Sequence, residues 1–287
     1  MGFASMIESD HKSNIHMIIR IFPVIFGIFI LFAFLSACSS EQEEFYSERS
    51  VDAIYNGAMD LMYEGDHELA ALEFDEVERQ HPYSVWATKA KIMSAYNYYQ
   101  ADKYEESVIA AERFIELHPG HEDAGYAHYL IAMSYYERIS DVGRDQKTTQ
   151  RALEALEKVV RRFPGSSYAR DARLKIDLAQ DHLAGKEMSI GRYYLRRGHY
   201  IASVNRFRNV IENYQTTSHV PEALHRLVES YLLLGIFSEA KTAAAVLGYN
   251  YPGSQWYEFS YSLITGQNLQ PEVDESSWIK KTFDKIF

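Results

Sequence analysis

The chain has 287 residues, 47% hydrophobic and 24% charged, a balance that supports a sizeable folded core and excludes a disordered or fibrous chain. Its formal net charge of -11 argues against sequence-independent nucleic-acid binding, which needs clustered Lys and Arg to displace counterions. A single cysteine excludes an intrachain disulfide and any metal cluster held by several thiolates.

The first element is an export signal. Ile21 to Leu35 is almost wholly apolar, follows the basic Lys12 and Arg20, and is succeeded by the small residues Ser36 and Ala37 and then Cys38. The apolar run, interrupted by Pro23 and Gly27, is shorter than the roughly 20 residues a spanning helix needs. Leu35-Ser36-Ala37-Cys38 has the form of a bacterial lipobox, so residues 1–37 are expected to be removed and Cys38 acylated. Ser39, where an Asp would signal retention in the inner membrane, directs the protein to the outer one. Several acyl chains, each adding about 0.8 kcal/mol per buried methylene, hold such a terminus firmly in a leaflet. Residues 38–50 are polar and acidic and read as a tether.

From Val51 the chain repeats. Gly65-Asp66-His67, Asp102-Lys103-Tyr104, Gly198-His199-Tyr200 and Gly235-Ile236-Phe237 are turns, each followed by a helix rich in small apolar residues. Pro82 to Pro119 and Gly198 to Gly235 recur at one spacing, close to the ~34-residue period of tetratricopeptide repeats. Two antiparallel helices approach closely only through small residues, the role expected of Ala58, Ala70, Ala95, Ala111, Ala152, Ala202 and Ala240. Tyr96, Tyr98, Phe114, Tyr135 and Phe207 fall on the buried stripe between them. His81-Pro82, His118-Pro119, Phe163-Pro164 and Tyr251-Pro252 end second helices, because proline cannot continue one.

The fold class is therefore all-α, a right-handed superhelix of about five tetratricopeptide repeats over residues 51–265, at roughly 51–83, 88–120, 124–165, 168–215 and 221–253. Two repeats are irregular. The stretch ERISDVGRDQKTTQR between Tyr136 and Ala152 reads as an inserted loop, and a long helix runs from Ala169 to Arg197. Residues 266–287 form a polar tail whose end, from Trp278, has an apolar face at helical spacing; it suits either a cap or a partner-docking segment.

Catalytic signatures are missing: there is no GxSxG, HExxH, phosphate loop or dinucleotide fingerprint. His118 and His121 flank a Pro-Gly turn, a poor geometry for a metal pair, and Asp141, Arg144 and Asp145 read as solvated loop charges. No enzyme, cofactor or metal is expected. Stacked helix pairs present a face that holds an extended peptide, and 22 tyrosines suit contacts where ring and hydroxyl both find partners.

Residues 74–121, 137–207 and 214–235, with RDQ at Arg144 to Gln146, RRFP at Arg161 to Pro164, GRYY at Gly191 to Tyr194 and the lipobox, resemble the BamD family of outer-membrane lipoproteins. The resemblance implies a part in inserting β-barrel proteins into the outer membrane, as partner of the barrel subunit BamA and of other lipoproteins of that complex, such as BamC. It implies that C-terminal repeats dock the last POTRA domain of BamA through an Asn-Arg pair, here Asn205-Arg206, with Arg197 as a second candidate. It also implies that N-terminal repeats receive the C-terminal segment of unfolded barrel proteins, with Tyr63, Asn97, Tyr98, Tyr129 and Tyr136 as groove residues. A repeat lipoprotein that regulates a cell-wall enzyme in the periplasm is the competing reading.

Overall fold

The computed structural model describes residues 48–285, so the signal peptide, Cys38 and most of the 38–50 tether lie outside the described residues. Twelve helices follow among those described, and no strand. They are α1 (Val51–Glu64), α2 (His67–Gln80), α3 (Val85–Gln100), α4 (Tyr104–Leu117), α5 (Ala124–Tyr136), α6 (Lys147–Arg162), α7 (Ser167–Arg196), α8 (Tyr200–Asn213), α9 (Val220–Leu233), α10 (Phe237–Asn250), α11 (Gln255–Gly266) and α12 (Trp278–Phe283).

The turns show why these residues pair. After α1, α3, α7 and α9 one residue enters the left-handed region: Gly65 (φ 90°), Asp102 (φ 59°), Gly198 (φ 77°) and Gly235 (φ 74°). Each turn then closes with the same two hydrogen bonds, as in Asp66 N to Leu61 O at 2.9 Å and Gly65 N to Met62 O at 3.2 Å. That double bond satisfies carbonyls the helix leaves orphaned and reverses the chain. The opposite turns use proline and serine. Pro82, Pro164 and Pro252 stop α2, α6 and α10, and two residues later Ser84, Ser166 and Ser254 cap α3, α7 and α11 by accepting a backbone N–H.

From α1 to α11 consecutive helices pack along their length. In addition α1, α3, α5, α7, α9 and α11 each touch the next of their own set, whereas the even helices up to α10 touch only their chain neighbours and, for α8 and α10, the terminal α12. The odd helices therefore form one closely packed layer, and the even helices a looser one. Small residues on the even helices let these approach their odd neighbours: Ala70, Ser107, Ser203 and Ala240, each five residues after its left-handed turn residue, are fully buried. Where Ala202 is expected at the crossing the serine does the work, since Ala202 is only half-buried and Ser203 takes the core side. Gly191 on α7 makes room for α8; a Cβ there would sit 2.4 Å from the ring of the fully buried Phe207.

The inserted loop is shorter than the sequence suggests. Lys147 to Arg151 already belong to α6, leaving residues 137–146 between α5 and α6. The tail is a strap: α12 buries Ile279 and Phe283 in the core formed by α7 to α11, and Trp278 packs beside them. On the strap, Lys241 pairs with Glu272 at 2.6 Å, Ser238 donates to Asp274, and Ser277 to Glu239. The tail therefore caps the stack.

Candidate docking and client-binding surfaces

The odd-helix layer carries a tyrosine face. Tyr96 and Tyr99 on α3, Tyr126 and Tyr129 on α5 and Tyr168 on α7 are each half-buried, and the Tyr168 ring lies 5.4 Å from that of Tyr126 and 5.3 Å from that of Tyr129. Their hydroxyls meet carboxylates: Tyr129 donates to Asp171 Oδ2 at 2.5 Å and Tyr99 to Glu137 Oε1 at 3.3 Å. Burial, reinforced by Glu137, pushes the Tyr99 phenol up to about 12. Burial likewise raises Tyr126, and burial with the Asp171 hydrogen bond raises Tyr129, so all three remain neutral donors. Rings that pack on apolar side chains, with phenol oxygens that can accept a backbone N–H while their own protons go to carboxylates, suit an extended polypeptide.

The face continues into a cleft of about 900 Å³ bounded by the 137–146 loop, α7 and the start of α9. Tyr136, Leu178, His182, Arg192 and His219 line it, and Lys175 Nζ lies 5.6 Å from the Tyr136 ring. The loop is fixed in place. Lys186 Nζ donates to the carbonyls of Gly143 (3.0 Å) and Arg144 (3.1 Å), and the buried Gln146 amide contacts His182 Nδ1 and Thr149 Oγ1 at 3.0 Å each. Gly185 lets His219 and Val142 come close, because a Cβ there would stand 3.2 Å from His219 Nε2 and 3.8 Å from Val142 Cγ2.

Of the five groove residues expected from the resemblance, Tyr129 and Tyr136 share this face. Asn97 does not: it is fully buried, its Oδ1 2.9 Å from His67 Nδ1 and its Nδ2 donating to Met93 O at 2.8 Å, so it ties α2 to α3 and presents nothing to a ligand. Tyr98 points to the even helices, where its hydroxyl donates to Asp75 at 2.8 Å beside a cavity of about 560 Å³. Burial raises the Asp75 carboxyl even though Ser94 and Tyr98 bond to it. Tyr63, 77% exposed near the end of α1, stands apart from both groups. Tyr99, Tyr126 and Tyr168 were missed, although Tyr96-x-x-Tyr99 and Tyr126-x-x-Tyr129 repeat one helical spacing and could have given them away.

The second surface is on α8. Asn205, Arg206 and Arg208 line a shallow cavity of about 380 Å³ with Glu187, Tyr194 and Glu212. Arg206 Nη1 reaches both oxygens of Glu187, at 3.3 and 3.2 Å, with the arginine side chain 42% exposed. Arg197, at the C-terminal cap of α7, stacks over Tyr193 at 5.4 Å. It lies ten residues beyond Glu187 along the same helix, about 15 Å at the helical rise, so Arg197 and Arg206 do not form one patch.

The family model described as "Outer membrane lipoprotein" (YfiO) matches residues 47–247. A protein of Caulobacter vibrioides named outer membrane protein assembly factor BamD is 51% identical over 229 residues, covering 80% of this chain and 75% of its own. The chain belongs to the BamD family. Namesakes in Rickettsia prowazekii (46% identity, covering 80% of this chain and 92% of the relative) and Neisseria meningitidis (34%, 77% and 88%) agree. The BamD-family match spans both surfaces and stops inside α10, leaving α11 and the strap beyond it. Among the described residues no helix of this BamD-family chain is long and apolar enough to cross a membrane.

Proposed function

We propose that the protein is the lipid-anchored scaffold of an outer-membrane protein assembly complex, attached through an acylated Cys38 to the periplasmic side of the outer membrane. Its α8 face, with Asn205 and Arg206 at the centre, docks the last POTRA domain of BamA, beside other lipoproteins of that complex, and Arg197 at the end of α7 is a second, separate contact. Its tyrosine face, with Tyr129 and Tyr136 and the residues around them, receives the C-terminal segment of unfolded β-barrel proteins; Tyr63 and Tyr98 belong to flanking surfaces. The observation that carries this reading is membership of the BamD family by a chain whose closely packed layer presents a row of half-buried aromatic rings.

Affinity purification from detergent-solubilised membranes tests it. The wild-type chain is expected to bring down BamA. Arg206→Glu reverses a half-exposed charge and removes the partner of Glu187, and a roughly tenfold loss of recovered BamA, about 1.4 kcal/mol, is expected with helical content unchanged. Undiminished recovery would remove Arg206 from the docking surface. Cys38→Ala is expected to incorporate no labelled fatty acid and to leave the outer-membrane fraction; equal labelling of the variant would end the lipoprotein reading.

A further inference from the structure

The α8 face holds a second guanidinium that the family resemblance does not single out. Arg208 lines the same cavity as Asn205 and Arg206 and is gripped from two directions. Its Nε donates to Glu212 Oε1 at 2.8 Å, and its Cζ lies 4.5 Å from the ring centroid of Trp278, the first residue of α12. That ring is itself fixed, because Trp278 Nε1 donates to the Tyr231 hydroxyl of α9 at 2.9 Å and the next turn of α12 anchors Ile279 and Phe283 in the core. A fixed indole sets the plane of the guanidinium stacked on it.

Arg206 is held differently. It has one hydrogen-bonded nitrogen, at 3.2 to 3.3 Å from Glu187, and among the described residues no ring covers it. Arg208, 45% exposed, keeps both terminal amino groups without a partner among the described residues. That open edge has the spacing of two carboxylate oxygens. Glu187 and Glu212 each already have an arginine, so an incoming carboxylate meets no net negative charge in the cavity.

We infer that Arg208, held in place by Trp278, is a second carboxylate-binding residue of the docking surface, and that the C-terminal strap is thereby part of that surface. The occupant is a folded protein domain that presents an Asp or Glu side chain to α8. This rests on the docking role proposed for Asn205 and Arg206, and it gives the strap a recognition role in addition to capping the core.

The test uses the full-length chain and full-length BamA in detergent, with affinity measured at low and high salt. Arg208→Ala is expected to weaken binding about five-fold, the equivalent of one exposed cation–π or charge-assisted contact, and more so at low salt. Trp278→Ala is expected to do the same, while Trp278→Phe, which keeps a ring over the guanidinium, binds nearly as wild type. The double variant is expected to be no weaker than Arg208→Ala alone. If Trp278→Ala weakens binding as much in the Arg208→Ala background as in the wild type, Trp278 serves only the fold and the inference is wrong. Should Trp278→Ala unfold α12, Arg208→Lys decides, since it keeps the charge and loses the planar fork; wild-type affinity there overturns the inference. Loss with Arg206→Glu but none with Arg208→Ala defeats this inference alone, whereas failure of the wild-type chain to bind BamA defeats the docking reading itself.

Discussion

The two halves of the helical stack are built on different principles. From α7 to α12 one continuous apolar core runs from Ala184 to Phe283, sealed at its end by the strap. From α1 to α7 the apolar interior divides into three smaller clusters, around Phe74, Phe114 and Leu156, the latter two joined on the odd-helix side by half-buried tyrosines whose hydroxyls bond to Asp171 and Glu137. Polar joints of this kind hold neighbours together while leaving ring surface exposed. A stack of repeats is stabilised by each repeat and by its contacts with the next, so the joints decide how far a disturbance spreads. The C-terminal half is therefore expected to respond to a disturbance as one unit, and the N-terminal half cluster by cluster.

Two equivalent core truncations would separate the halves most sharply. Phe114 and Phe207 are both fully buried, and Phe→Ala at either is expected to cost about 3–5 kcal/mol. Their reach should differ. Native-state amide exchange is expected to show Phe207→Ala lowering protection throughout α7 to α12, and Phe114→Ala loosening α3 to α5 while α9 to α11 stay protected. Uniform loss from Phe114→Ala would mean that the stack opens as one unit and that the comparison fails.

The next effect is pH-dependent and belongs to the N-terminal half. His128 on α5 is 3% exposed, 3.1 Å from Arg162 Nη1, with Lys158, Glu112 and Glu116 around the adjoining cavity. Burial, with the charges of Lys158 and Arg162, pushes its imidazole down to about 4 from an ordinary 6.5. Between those values the unfolded chain binds a proton that the folded one refuses, so stability falls as pH drops from 6.5 to 4 and levels off below. The shift corresponds to roughly 3 kcal/mol. The C-terminal counterpart, buried His225, has Glu229 Oε1 3.6 Å away instead of two cations. Urea midpoints of the wild type and His128→Gln at pH 7 and pH 5 measure this: the variant should lose less stability than the wild type on acidification. Equal losses would locate the acid sensitivity elsewhere.

Much of this architecture was legible because punctuation is local. Left-handed turns need Gly or Asp, and helices stop before Pro, so Gly65, Asp102, Gly198, Gly235, Pro82 and Pro119 marked the helix ends within a residue or two. The start of α6 was hidden because Thr148 and Thr149 are weak helix formers, and what holds them helical is tertiary: the buried Gln146 amide bonding to Thr149 and lying against His182. Site residues were harder. Asn97 and Tyr98 are adjacent on α3, yet one is sealed inside and the other faces the even helices, and neither polarity nor spacing says which side of a helix pair is the binding side. Which helices touch across the repeats sorts such residues: Asn97 is sealed between α2 and α3, and Tyr98 lies on the even-helix side.

The smallest expected effect tests the polar joints directly. Tyr129→Phe removes one hydroxyl and leaves the ring against Tyr168, so the loss at neutral pH should be about 0.5–1 kcal/mol, the net value of one hydrogen bond. Its pH profile identifies the partner. Burial raises the Asp171 carboxyl, but the hydrogen bonds from Tyr129 and Lys175 outweigh it and hold the group below its usual range. A depressed carboxylate contributes stability above its unfolded value and loses it as pH falls through the folded one. The deficit of Tyr129→Phe should therefore be complete at pH 7 and shrink as the pH drops through the acid range, where Asp171 takes up a proton first in the variant and then in the wild type. A deficit independent of pH would mean that the hydroxyl contributes through packing, and that the tyrosine face is joined by its rings alone.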